Sequence, residues 1–149
     1  MSRFLEIFIA LGLLFGCTIS VGAPKPKGVA LQLPEVAARS YAQNYKDLAL
    51  ATCIAQAYSA EKKAAADAGA TAAGLESTWT NYDAENGAGA IAKLVHKYLA
   101  RKYHSIHGPE IKLDLLKCLD MYHSKELDAQ VKRFVLNPDH SYKQDNSDE

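Results

Sequence analysis

The chain has 149 residues, a length typical of one domain, and its 17 acidic residues balance 17 basic ones. A chain without net charge has no electrostatic attraction for nucleic acid or anionic lipid, so the composition argues against a nucleic-acid partner. Hydrophobic residues make up 48% of the chain, which is enough for one buried core.

The first 22 residues are typical of a secretory signal peptide and are expected to lie outside the fold. Arg3 provides a short positive start, and residues 7–15 form a continuous apolar run. The run is shorter than the roughly 20 residues of a membrane-spanning helix, so we predict export without a membrane span. We expect cleavage after Gly22, because cleavage one residue later would place Pro24 beside the cut.

A lipoprotein anchor on Cys17 is an alternative for the exported chain. Phe15 stands where a lipoprotein signal usually carries a small residue, so we favour plain cleavage of the signal peptide.

After cleavage, residues 23–33 contain two prolines and a glycine, and they predict a linker. The helical domain is expected over residues 34–136, followed by a polar, frayed tail over 137–149.

Residues 44–58 predict the buried central helix of the domain. No charged residue occurs between Asp47 and Glu61, and apolar or small side chains occupy all sides of the helix. A helix that is apolar all round is buried in a protein core. Whether the preceding residues continue the same helix, or form a second helix with a kink near Gln43 and Asn44, stays open.

Two cysteines remain once the signal peptide is removed, Cys53 on the central helix and Cys118 on a later apolar stretch. Because disulfides form in exported proteins, we predict a bridge between Cys53 and Cys118. Two buried free thiols are the alternative, since both cysteines lie on apolar helical stretches.

The segments after the central helix predict further helices joined by short breaks. An alanine-rich stretch, residues 61–82, is either a thin core helix or a helix packed against a second copy of itself. Residues 83–89 contain two glycines and predict a turn. The third helix has the clearest amphipathic pattern, with an apolar face opposite a basic one: Ile91, Leu94, Val95, Tyr98 and Leu99 against Lys93, Lys97 and Arg101.

Pro109 is predicted to restart a helix with a buried face formed by Ile111, Leu115, Cys118, Leu119 and Tyr122. Ser124 is predicted to cap the last helix, with an inner stripe of Leu127, Val131, Phe134 and Val135. No stretch alternates strictly enough to form a strand. The predicted fold class is therefore all-α, a compact bundle of about five helices with one disulfide.

No nucleotide-binding, hydrolase or metalloprotease motif occurs in the sequence, so we predict neither an enzyme nor a cofactor. A zinc site is an alternative use of the histidines, with His104 and His107 on one loop and a further ligand from His96, His123 or His140. We favour surface histidines without a metal, because no carboxylate or cysteine stands at a recognisable ligand spacing.

The break at residues 103–109 combines an aromatic ring, two imidazoles and the apolar Ile106 in an otherwise polar loop. Loops held by a rigid scaffold are where binding residues concentrate, so this loop is a candidate binding element. An ordinary joint between two helices is the alternative.

Four segments carry a resemblance that covers nearly all of the mature chain: residues 47–58 (DLALATCIAQAY), 97–103 (KYLARKY), 115–127 (LLKCLDMYHSKEL) and 142–146 (YKQDN). Together they resemble the immunity proteins that protect Gram-negative bacteria from type VI secretion amidase effectors. The likeness is loosest in the alanine-rich helix and in residues 83–89.

The resemblance implies a periplasmic, all-helical, homodimeric inhibitor of a papain-like cysteine amidase that cuts peptidoglycan stem peptides between D-glutamate and diaminopimelate. Members of the family occupy the active-site cleft of the enzyme, with two inhibitors and two enzymes in one assembly. From the candidate loop and the outward cations of the third helix, we predict these effector-binding residues: Lys97, Arg101, Tyr103, His104, Ser105, Ile106 and His107. A stand-alone periplasmic helical protein that binds a metal or responds to stress is the alternative function.

Overall fold

A computed structural model describes residues 34–147, so the expected signal peptide, the lipoprotein alternative and the linker lie outside the described residues. Five of the helices have nine residues or more, and the sixth has four. No β-strand is present in residues 34–147, and the predicted all-α class is confirmed. The six helices are α1 (Tyr41–Ala57), α2 (Lys62–Gly74), α3 (Ala84–Leu99), α4 (Asp114–Tyr122), α5 (Lys125–Phe134) and α6 (Tyr142–Asp145).

Helix α1 is the central helix that the sequence predicts, and it packs against α2, α3, α4 and α5. It begins after Ser40, whose side-chain oxygen accepts a hydrogen bond from the backbone N–H of Gln43. A separate 3₁₀ turn, Glu35–Ala38, precedes this cap, so the chain bends before the helix rather than near residues 43–44. The fully buried Asn44 holds the bend, because its amide donates to the carbonyl oxygen of Val36 at 3.1 Å.

A disulfide joins α1 to α4 in the centre of the core. The bridge links Cys53 and Cys118, whose Cα atoms are 5.7 Å apart, and both side chains are fully buried. The predicted pairing is therefore confirmed. The largest fully buried side chains of the core are those of Tyr45, Met121, Leu127 and Val95.

The alanine-rich segment is shorter and more exposed than the sequence predicts. Helix α2 ends at Gly74, and none of its residues is buried, so the prediction of a thin core helix is wrong. A π-helical turn, Leu75–Trp79, follows and brings Trp79 against Tyr142 with ring centroids 5.0 Å apart. The helix stops early because Asn44 donates to the carbonyl oxygen of Trp79 at 2.6 Å and draws the chain onto α1.

The turn predicted at residues 83–89 is also wrong, because α3 begins at Ala84 and includes both glycines. Asp83 caps this helix by accepting a hydrogen bond from the backbone N–H of Asn86. A Cβ atom on Gly87 would lie 2.8 Å from the ring of Tyr82. The glycine therefore permits close packing inside a helix and does not mark a turn.

Helix α4 begins five residues later than predicted and buries a different face. It starts at Asp114, after Leu113 in a left-handed conformation (φ 52°), and not at Pro109. The structure buries Lys117, Cys118 and Met121 and leaves Ile111, Leu115 and Leu119 exposed. The disulfide explains why this face of α4 is buried, because it turns the side that carries Cys118 toward α1.

Within the described residues, the segment after α5 is held by polar contacts, whereas its composition predicts a frayed tail. Ser124 caps α5 as expected, and the inner stripe of α5 packs into the core. Beyond it, Ser141 caps α6, and Asp145 accepts a hydrogen bond from the Tyr41 hydroxyl at 2.9 Å. Among residues 34–147, no helix combines the length and the apolar character needed to cross a membrane.

Candidate functional site

The loop between α3 and α4 carries the residues that the sequence singles out for binding. Ile106 is 94% exposed at its tip, between the exposed His104 and His107. The hydroxyl of Ser105 accepts a hydrogen bond from the backbone N–H of His107 at 3.1 Å and tightens the tip. Gly108 has a φ of +153°, a conformation that other residues rarely adopt, and it turns the chain back toward α4.

Two contacts tether this loop to α4. The buried Lys117 donates a hydrogen bond to the carbonyl oxygen of Leu99, at the end of α3, and another to the carboxylate of Asp114 at 2.8 Å. On the stem of the loop, the Tyr103 hydroxyl donates to the carboxylate of Asp120. Both ends of the loop are thus fixed to the helical scaffold, while the four residues 104–107 extend from it.

A polar cluster on α3 and α5 lies beside the stem of the loop. Lys97 donates to the carboxylate of Glu126, and the Tyr98 hydroxyl donates to the same carboxylate at 3.0 Å. The Lys97 ammonium, with the Tyr98 hydroxyl, holds the pKa of Glu126 below its usual value. The guanidinium of Arg101 lies 3.6 Å from the centroid of the Tyr98 ring and donates to the Tyr103 hydroxyl at 3.5 Å.

The structure therefore brings Lys97, Arg101 and Tyr103 into one connected group at the base of the loop, and the other four predicted binding residues form its tip.

The histidines are not brought together as a metal site. Within the described part of the chain, no group of three or more His, Cys, Asp or Glu side chains could hold a metal ion. His140 instead bonds Asp145 through its Nδ1 atom at 2.9 Å.

Sequence reasoning missed the role of Lys117, which is 5% exposed. A lysine three residues after an aspartate is ordinarily read as a surface ion pair. Its position beside Cys118 was the available signal, because a residue next to an inward-facing cysteine on a helix can share its buried face.

Residues 43–131 match the profile of a protein family described as type VI secretion system amidase immunity protein. The chain belongs to this family of immunity proteins. The matched residues run from α1 to α5 and include the two cysteines of the disulfide and the whole loop between α3 and α4. The resemblance stated from the sequence is thereby confirmed.

A solved structure supports the assignment of this immunity protein. It was described with new type VI-secreted toxins and self-resistance proteins in Serratia marcescens, and its sequence is 32% identical. The match has a TM-score of 0.71 and covers 83% of this chain and 99% of that chain. No curated protein gives a significant sequence match.

Proposed function

We propose that this immunity protein acts in the periplasm, where it binds a peptidoglycan amidase effector and occludes the active-site cleft of that enzyme. Family membership supports the class of target, and the signal-like first 22 residues support export. The buried bridge between Cys53 and Cys118 also suits the oxidising periplasm. The proposed target is a cysteine amidase of the kind that the sequence resemblance implies.

The proposed inserted element is the tip of the loop, residues 104–107, with Tyr103 at its stem. Ile106 is 94% exposed, so its transfer into an apolar cleft would stabilise the complex. The flanking imidazoles can hydrogen-bond to polar groups at the edge of that cleft. The tethers through Lys117 and Tyr103 hold the loop before binding. A loop that is already ordered loses less conformational entropy on binding, so more of its contact energy appears as affinity.

The basic group beside the loop is the proposed second contact. Lys97 remains 57% exposed although it pairs with Glu126, and Arg101 is held over the Tyr98 ring with its charge directed by Tyr103. These cations can engage acidic or carbonyl groups on the enzyme surface around the cleft. We propose that they orient the enzyme while the loop blocks substrate access.

A homodimer that binds two enzyme molecules is part of the proposal, with the sequence resemblance as its support. Such an arrangement would present two loops and two basic groups in one assembly.

One observation carries the proposed mechanism: a member of an amidase immunity family presents an isoleucine that is almost fully exposed on a loop tethered at both ends. The test replaces residues 104–107 by Gly and Ser and measures the inhibition constant against the cognate amidase. We expect inhibition to weaken by at least about 30-fold, because the loss of a buried anchor costs about 2 kcal/mol or more.

The matched control is Leu136→Ser, since Leu136 is also an exposed large hydrophobic residue but lies beyond α5. The control should inhibit like the wild type. Thermal unfolding of both variants separates loss of contact from loss of fold. An unchanged inhibition constant for the 104–107 variant would remove this loop from the mechanism.

A further inference from the structure

Helix α4 carries both tethers of the binding loop, yet it places few apolar side chains in the core. Of its nine residues, the structure buries Lys117, Cys118 and Met121. Burial stabilises a helix in proportion to the apolar area that it removes from water, so this helix gains little from it. Its leucines are instead 46%, 45% and 39% exposed: Leu115, Leu116 and Leu119.

The two ends of α4 are held in different ways. At its last turn, the fully buried Met121 packs in the core, and the Tyr122 hydroxyl donates to the carboxylate of Asp47 on α1 at 3.1 Å. The first half of the helix, residues 114–118, directs Lys117 and Cys118 inward, and Lys117 bonds the end of α3. The bond from Cys118 is therefore the main attachment of this first half to α1. As a free thiol, Cys118 would contribute only the burial of one small side chain.

The other sulfur belongs to an element that does not depend on the bridge. Cys53 lies on α1, which packs against four other helices and buries six further side chains: Tyr41, Asn44, Tyr45, Leu48, Ala49 and Ala51. Loss of the bridge would leave α1 in place, whereas the first half of α4 could turn or separate. The loop would then lose its tethers, because they depend on Lys117 and Asp120 of α4.

We propose that the bond between Cys53 and Cys118 is a redox device that sets the position of the binding loop. In the oxidised protein, α4 holds Lys117 against the end of α3, and the loop over residues 100–113 is tethered. In the dithiol form, the first half of α4 leaves this position and the loop is released. The consequence for inhibition rests on the proposed function: the chain binds its amidase tightly only after oxidation.

Formation of the bond is a thiol–disulfide exchange with a protein disulfide, the class of oxidant that an oxidising compartment supplies. One cysteine thiolate attacks the disulfide of the oxidant and forms a mixed disulfide. The second cysteine thiolate attacks the first sulfur and displaces the oxidant. The two cysteines lose two electrons and two protons, and the oxidant leaves as a dithiol.

The burial of the bridge makes the oxidised state persistent. Cys53 and Cys118 are both 0% exposed, so an oxidant or a reductant cannot reach either sulfur in the folded, oxidised protein. A folded dithiol form can be oxidised only if it exposes a thiol, and Cys118 on the weakly held half of α4 is the one that this fold can expose. Once the bond forms, α4 covers it again.

The first experiment measures thiol reactivity in the full mature protein and uses no amidase. The bridge is reduced in denaturant, the protein is refolded anaerobically, and alkylation by iodoacetamide is followed at each cysteine by mass spectrometry. Each rate is divided by the rate of the same cysteine in denaturant. We expect Cys118 to react at least about 10-fold faster than Cys53 on this scale, because local opening of α4 exposes only Cys118.

Two outcomes of this labelling would overturn the proposal. Slow alkylation at both cysteines would show that α4 stays packed without the bond. Fast alkylation at both would show that the whole core opens, so that the bond would not act on α4 alone. Hydrogen exchange of the same reduced protein locates the opening: residues 100–118 should lose protection relative to the oxidised protein, while α1 keeps its protection. Unchanged exchange at residues 100–118 would also overturn the proposal.

The second experiment measures the inhibition constant against the cognate amidase for the wild type, the double variant Cys53→Ala/Cys118→Ala, and Gly87→Ala. Gly87→Ala is the matched control, because it keeps the bridge while its methyl group disturbs packing against Tyr82. We expect inhibition to weaken by at least about 10-fold in the double variant, because a released loop must be ordered on binding. Gly87→Ala should inhibit like the wild type.

The two experiments separate this proposal from the proposed function. Equal weakening in the double variant and Gly87→Ala would show that inhibition follows global stability, and it would overturn the role of the bond. Unchanged inhibition by the double variant, together with selective labelling of Cys118, would uphold the release of α4. That combination would refute the loop as the element inserted into the amidase.

Discussion

Lys117 donates a hydrogen bond to the carbonyl oxygen of Leu99 across 3.3 Å, although 18 residues separate the two in sequence. The contact satisfies a carbonyl at the end of α3 with a buried cation, where the negative end of the helix dipole favours positive charge. The same ammonium group binds Asp114 at the start of α4. Through these two bonds, the Lys117 side chain connects the start and the end of the loop that carries Ile106.

The first prediction concerns the hydrogen bonds that Lys117 makes to Leu99 and Asp114. Lys117→Met introduces an unbranched apolar side chain of similar length and leaves Leu99 and Asp114 without the ammonium group. We expect the free energy of unfolding to fall by about 1–3 kcal/mol, and the backbone amides of residues 100–113 to exchange faster with solvent. Lys93→Met is the control, since Lys93 is exposed on α3. Equal exchange in the two variants would show that Lys117 does not order the loop.

The second prediction concerns the disulfide, which closes a loop of 65 residues. Replacement of both Cys53 and Cys118 by Ser should lower the free energy of unfolding by about 4 kcal/mol, because the unfolded chain regains the entropy that the bridge removes. Urea denaturation measures the loss. The wild type from a periplasmic extract should carry no titratable thiol when denatured, and two free thiols in that material would contradict the account.

The third prediction compares two helical glycines. Gly87→Ala should destabilise the protein by about 1–3 kcal/mol, because the added methyl group would collide with the buried ring of Tyr82. Gly69→Ala should stabilise it by up to about 1 kcal/mol, since no atom lies within 4 Å of the new methyl and alanine favours helix. Chemical denaturation distinguishes the two, and changes of the same sign would contradict the packing described for α3.

The fourth prediction is a loss of stability at alkaline pH. Burial, reinforced by the neighbouring Glu76 carboxylate, raises the pKa of Tyr82 from 10.0 to about 12. A pKa raised in the folded state adds stability that is complete below pH 10 and is lost as the pH rises toward 12. The expected loss is at most about 1.4 kcal/mol per pH unit in this window.

Tyr82→Phe isolates this contribution, because it removes the ionisable hydroxyl and keeps the ring that packs against Gly87. Burial also raises the pKa of Tyr45, so part of the alkaline dependence should persist in the variant. Denaturant midpoints measured from pH 9 to 12 provide the comparison. Identical pH profiles for the wild type and the variant would contradict a neutral, buried Tyr82.

The sequence was informative where one physical constraint dominated. Ser124 stood immediately before an amphipathic pattern and caps α5, and the two cysteines left after the signal peptide form the predicted bridge. The buried face of α4 was not predictable in the same way. Apolar residues occur around most of that helix, so the pattern fits several orientations, and the bond to Cys53 selects the one observed.

The candidate binding loop was likewise predictable only in part. Its place between two helices and its exposed Ile106 follow from the local pattern of residues. Its tethers do not, because the bonds from Tyr103 to Asp120 and from Lys117 to Leu99 depend on how α4 is turned and placed against α3. Sequence reasoning could therefore locate the loop, while its tethers are visible only in the structure.

The central claim is that this immunity protein acts by blocking an amidase. The most direct measurement titrates the purified mature protein into its cognate peptidoglycan amidase and follows cleavage of a stem peptide. The account predicts complete inhibition at one inhibitor chain per enzyme molecule, with no cleavage by the inhibitor alone. An amidase that retains full activity in excess inhibitor would contradict it.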